Sequence, residues 1–181
     1  MNKRIIAILL LVAVMAVVSS GCSSEPKPAP KKDEVKTEKV HIADKEGDFP
    51  DLSAYDNLQV NVSVKKQTLS ILSGDKTIFR TPVSTGKEGS ETPVGDFVIE
   101  PERGDFFYNA GSGEGAYYWV SFKDHGIYLF HSVPTDEEGN VIDWEADLLG
   151  KPASHGCVRM SMDSAKWFYQ NIPEGTPVHI E

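Results

Sequence analysis

The feature that most limits the fold is a succession of short apolar runs, separated by turns rich in Gly and Asp. Val60, Val62 and Val64 alternate with polar residues, the period of a half-buried strand. Residues 68–72 and 77–83 read as two further strands, joined into a hairpin by Ser73-Gly74-Asp75-Lys76. Residues 97–99, 116–122 and 127–130 are rich in aromatic and β-branched side chains and add more strands. One segment alone carries a helical period. Ser161 can cap it, Asp163 suits its positive end, and Ala165, Phe168, Tyr169 and Ile172 share a face before Pro173 and Gly175 stop it. Residues 177–180 read as a last strand. Many short strands with a single late α-helix predict a mainly β fold built from antiparallel sheet, a sandwich or a barrel.

The first residues do not belong to that fold. Asn2-Lys3-Arg4 is basic, residues 5–18 are apolar throughout, and Ser19-Ser20-Gly21 lead to Cys22. Residues 1–21 read as a secretory signal peptide. The ending is lipobox-like, which makes Cys22 the acylated first residue of a bacterial lipoprotein, although Ser19 stands where Leu is usual. The apolar run is short of the roughly 20 residues that span a bilayer. Residues 22–56 read as a tether, with Pro-rich and mixed-charge sequence and no aromatic residue before Phe49. The folded domain is then 57–181. Cleavage before Cys22 removes Lys3, Arg4 and no acid, so the formal charge goes from −9 to −11. A chain this acidic is not built to hold nucleic acid, and its route to a membrane is the lipid on Cys22 rather than a basic face.

The domain keeps one cysteine, Cys157, within Ser154-His155-Gly156-Cys157-Val158-Arg159-Met160. A lone thiol outside the cytoplasm has no disulfide partner in its own domain. Neighbouring imidazole or positive charge favours its thiolate. A cysteine nucleophile needs a base, a group to orient that base, and donors for an oxyanion. His131 ends the apolar run 127–130 and can reach a site edge as base. His155 shares a face with Cys157 if the chain is extended there. Gly156 lets the backbone approach a ligand and frees the amides of Gly156 and Cys157 for an oxyanion. Arg159, on the same face, can grip a carboxylate. Tyr118 or Trp119 can line a groove. Two other readings use the same residues. Cys157 can be a buried structural thiol. Cys157, His155 and His131 can also be three zinc ligands lacking a placed fourth, although no paired-cysteine spacing supports this.

The ordered set resembles the L,D-transpeptidase family of the YkuD type. The resemblance rests on Ser154 to Arg159, on upstream His131-Ser132, on Val83-Ser84-Thr85-Gly86 and Thr92-Pro93-Val94-Gly95-Asp96-Phe97, and on the closing helix and strand. It covers about residues 58–181. It implies a β-sandwich catalytic domain acting on peptidoglycan stem peptides outside the cytoplasm, with no cofactor and no metal. Cys157 matches the nucleophile that attacks the carbonyl of the third stem residue and releases D-Ala. An amine of another stem then takes the acyl group from the thioester, giving a 3→3 cross-link. His131 matches the base, Ser132 the place of its orienting group, His155 a supporting histidine, and Arg159 a position near substrate. Acylation of the thiol by carbapenems is also implied. With water as acceptor the same chemistry gives an L,D-carboxypeptidase, and with a protein amine it attaches that protein to the wall. An inactive peptidoglycan-binding lipoprotein is the reading without chemistry.

His131 and Cys157 are 26 positions apart, longer than the shortest family spacings. The extra length carries Asp136, Glu137, Glu138, Asp143, Glu145 and Asp147 against Lys151. It reads as a solvated acidic loop, or else as a cover over the groove that attracts an ammonium.

Overall fold

The computed structural model describes residues 41–42 and 49–181; the signal peptide, Cys22 and most of the tether lie outside them. Two sheets make up the fold. The larger contains, in spatial order, β1 (His41–Ile42), β4 (Lys76–Pro82), β3 (Thr68–Ser73), β2 (Leu58–Ser63), β10 (Pro177–Ile180) and β5 (Gly95–Val98). The smaller contains β6 (Arg103–Asn109), β7 (Glu114–Lys123), β8 (Tyr128–Ser132) and β9 (Val158–Met160). Alternation explains the inward faces: Val60 and Val62 of β2 and Leu69 and Ile71 of β3 are buried. The β3–β4 hairpin turns through Gly74, whose φ of 56° suits a residue without Cβ.

Three pairings depart from an antiparallel pattern. β1 runs parallel to β4, β10 to β2, and β9 to β8. Parallel neighbours cannot be joined by a tight turn and need a crossover of a dozen or more residues. That requirement accounts for the long connection between His131 on β8 and Cys157 just ahead of β9.

The helix α2 (Met162–Asn171) lies against β7, β8 and β9. Ser161 caps it, its Oγ accepting from the Ser164 amide at 3.2 Å. Phe168 packs 5.0 Å from the Phe130 ring of β8. Trp167 reaches the other sheet, with its ring 4.4 Å from Phe79 on β4. At the far end Arg103 donates to the carbonyls of Tyr169 and Ile172, both at 3.1 Å, and satisfies acceptors the helix leaves open. The packed domain begins ahead of residue 57. Phe49 stacks on Trp167 at 5.2 Å, Leu52 is buried, and Tyr55 packs on the same core. Phe49, Leu52 and Tyr55 therefore dock the last part of the 22–56 segment onto the core.

Candidate active site

The parallel pairing of β8 and β9 sets Phe130 opposite Val158 and His131 opposite Arg159. Cys157 directly precedes Val158, so two strands deliver the thiol and the imidazole to one place. His131, Cys157, His155, Ser154, Arg159 and Glu114 help line a cavity of about 170 Å³. A second cavity of about 420 Å³ shares Cys157 and His155 and adds Trp119, Gly126 and Ile127.

His131 is buried, and its Nδ1 lies 2.7 Å from the Ser132 carbonyl. A carbonyl only accepts, so Nδ1 carries the hydrogen and Nε2 keeps its lone pair. The orienting group is thus the Ser132 backbone. Its hydroxyl is engaged elsewhere, accepting from the Tyr117 amide at 3.0 Å and donating to the Val133 carbonyl at 2.7 Å. Burial, helped by the Arg159 charge, lowers the His131 pKa to about 4. The Cys157 thiol is half-buried and donates to the Ile127 carbonyl at 3.7 Å, not to His131. Burial raises its pKa against the opposing pull of a Leu129 backbone hydrogen bond and of Arg159. Both groups are therefore neutral near pH 7.

A pH dependence of stability follows. The unfolded chain binds a proton at His131 near pH 6.5, whereas the folded chain resists it until about 4. Stability from this group is complete above pH 6.5 and is lost on acidification toward pH 4, by about 3 kcal/mol. The Cys157 shift has the opposite sign and erodes stability above pH 9. Urea midpoints of the wild type should be highest between these limits, and His131→Leu should flatten the acid side. Equal acid slopes in both proteins would remove His131 as the cause.

Arg159 is only 3% exposed. Its Nη1 donates to Glu145 at 2.5 Å and its Nη2 to Glu114 at 3.0 Å. The expectation that it grips a substrate carboxylate is thereby corrected: two carboxylates of the same chain already answer its charge. Glu145 sits on α1 (Asp143–Ala146), inside the acidic connection. That connection is not a solvated loop throughout. Thr135 bridges to Gly115 and Val141, the Ser84 hydroxyl donates to the Leu148 carbonyl at 2.8 Å, and Glu145 points inward, while Glu137 and Glu138 are exposed.

His155 is exposed, and its Nε2 lies 3.2 Å from Lys87 Nζ. An ammonium only donates, so the ring hydrogen is on Nδ1, which faces Glu114 Oε2 at 3.7 Å. Ser154 closes the turn into the thiol. Its Oγ accepts from the Gly156 amide at 3.1 Å and donates to the Cys157 carbonyl at 2.5 Å. The Gly156 amide is accordingly not a free oxyanion donor. Among the described residues the Cys157 amide has no protein acceptor. Gly156 itself has φ of 119°, and a Cβ there would meet Tyr128 Cε1 at 3.0 Å. Trp119 lines the second cavity. Tyr118 does not reach the site; with φ of 56° it turns toward α2 and packs 5.9 Å from Tyr169. Among the described residues, the His/Cys/Asp/Glu group able to hold a metal ion is Glu100, Glu102 and His125, none of which lines either cavity.

The two-sheet β domain thus brings a thiol and an oriented imidazole to one cavity. The chain belongs to the L,D-transpeptidase catalytic domain family, YkuD, which matches residues 58–180. It is 40% identical to the putative L,D-transpeptidase YciB of Bacillus subtilis strain 168 over 188 residues, covering 97% of this chain and 96% of the relative. Its fold is also that of an L,D-transpeptidase from Mycobacterium tuberculosis H37Rv, with TM-score 0.57 at 22% identity over 69% of this chain and 57% of that one. The L,D-transpeptidase LdtMt1 in complex with imipenem superposes with TM-score 0.58 at 22% identity, over 70% and 59% of the two chains.

Proposed function

We propose that this protein is an exported, lipid-anchored peptidoglycan L,D-transpeptidase that works through Cys157. The observation that carries the reading is the shared cavity of Cys157 and His131, with Nδ1 of His131 tied down and Nε2 left to accept a proton. The thiol rotates from the Ile127 carbonyl toward His131. As Sγ bonds to the carbonyl carbon of the third stem residue, its proton passes to Nε2. The Cys157 amide receives the developing oxyanion. Collapse breaks the bond to D-Ala, whose amine takes the proton from His131 and leaves. An amine of a second stem attacks the thioester, gives its proton to His131, and the thiol is restored with a 3→3 link formed. Arg159 does not touch substrate; it holds the floor of the site between Glu145 and Glu114. Cys22 supplies the lipid, and the tether lets the domain reach wall above the membrane.

The test is to supply tetrapeptide muropeptides and weigh the products. A dimer lighter than two monomers by one D-Ala supports transfer to a stem amine. Monomer lacking D-Ala indicates water as the acceptor, and unchanged substrate argues for a binding lipoprotein. Because burial holds His131 near 4, the acid limb of kcat/KM should fall well below the usual histidine value of 6.5. A limb at 6.5 or above would show that the base titrates as a solvent-exposed imidazole.

A further inference from the structure

We infer that Lys87 is the anion-binding residue of this site and holds the terminal carboxylate of the D-Ala that leaves; the inference rests on the donor substrate proposed above. Such a donor carries a negative charge one residue from the bond that breaks. Arg159 cannot meet it, being buried and already paired with Glu145 and Glu114. Among the described residues no other Lys or Arg lines either cavity, and Lys87 meets them through His155 rather than by lining them. Both ends of the Arg159 guanidinium are already answered by Glu114 and Glu145, which leaves the terminal carboxylate of a donor without a partner there.

Lys87 can supply that partner. It is exposed and makes no ion pair among the described residues. One of its three hydrogens is directed at His155 Nε2, 3.2 Å away, and His155 lines both cavities. Two hydrogens remain for a ligand. Its backbone is fixed to the segment that carries the thiol: the Lys87 amide donates to the Ser154 carbonyl at 3.0 Å, and Gly86 bridges to Ser154. The Gly86 amide also donates to Thr92 Oγ1 at 2.8 Å. A Cβ on Gly86 would lie 2.1 Å from the Ser90 carbonyl oxygen, so the loop closes only around a glycine. Charge then alternates outward from the core, Glu145, Arg159, Glu114, with the His155 ring between the last carboxylate and the ammonium.

The experiment measures binding of a synthetic stem tetrapeptide ending in free D-Ala, and of its C-terminal amide, to the full chain carrying Cys157→Ala. Adding Lys87→Met should weaken the free acid roughly fivefold and leave the amide unchanged, with Lys87→Arg restoring affinity. The difference should shrink as salt is raised. Equal weakening of both peptides, no change in either, or no binding of the free acid would overturn the role of Lys87. Preference for the free acid combined with no dimer from the wild type would keep Lys87 and overturn transpeptidation instead.

Discussion

Cys157→Ala is expected to release no D-Ala from a tetrapeptide stem and to gain no mass on exposure to a carbapenem. The loss should be at least about a thousandfold, because the bond-forming atom itself is removed. His131→Ala should cost about a hundredfold to ten-thousandfold, the range for a lost general base. The two losses should not add, since base and nucleophile serve one step. The substituted side chain is half-buried and the bond it donates, to the Ile127 carbonyl at 3.7 Å, is a long thiol contact, so the variant should fold. Unchanged secondary structure by circular dichroism, with activity gone, would separate chemistry from stability. Retained D-Ala release would assign the chemistry to another residue.

Glu145→Ala is expected to give the largest loss of stability among the acids of the 133–151 connection. It strips Arg159 of one of two partners and leaves a guanidinium that is 3% exposed with Glu114 alone. Removing one side of a buried ion pair costs about 3 to 5 kcal/mol, and Glu114 should keep the value near the lower end. For a domain of this size that is a fall in Tm on the order of 10 °C. Glu138→Ala, a few residues away and exposed, should change stability by less than about 0.5 kcal/mol. Equal melting temperatures for the two variants would show that Glu145 does not hold Arg159. The Arg159 Nε, buried and without a partner, makes this position still more sensitive to a lost acceptor.

Most of what could be read in advance was local. The alternation of Val60 and Val62, the turn at Gly74 and the Ser161 cap are short-range patterns, and each gives the element it predicts. The thiol and its upstream imidazole were legible because their flanking residues are ordered. What escaped depends on partners far away in sequence. β9 is three residues long and fully buried, too short to show a period. β6 was lost among Gly and Asp, although its Phe106 and Phe107 are aromatic. Parallel pairing leaves no turn signature, so a mixed arrangement looked antiparallel. Glu114 and Glu145 carry no local mark of their role. Their neighbour in space, Arg159, is 45 and 14 positions away, and only the fold reveals that the guanidinium is already claimed. For Ser132 the sequence names a residue but no atom; in the fold it is the backbone carbonyl that meets His131 Nδ1.

The position of β10 has a consequence for how the chain is made. Residues 177–180 lie between β2 and β5, in the interior of the larger sheet, and Glu181 continues the ladder with Val62 and Val64. The sheet therefore stays open until those residues have left the ribosome or a secretion channel. β2, near the front of the domain, must wait with one edge unpaired while more than a hundred residues pass, and such distant pairing slows folding. Thread-through export in an extended state is thus compatible with the topology. A passenger lacking its last strand would remain an aggregation hazard rather than a stable intermediate.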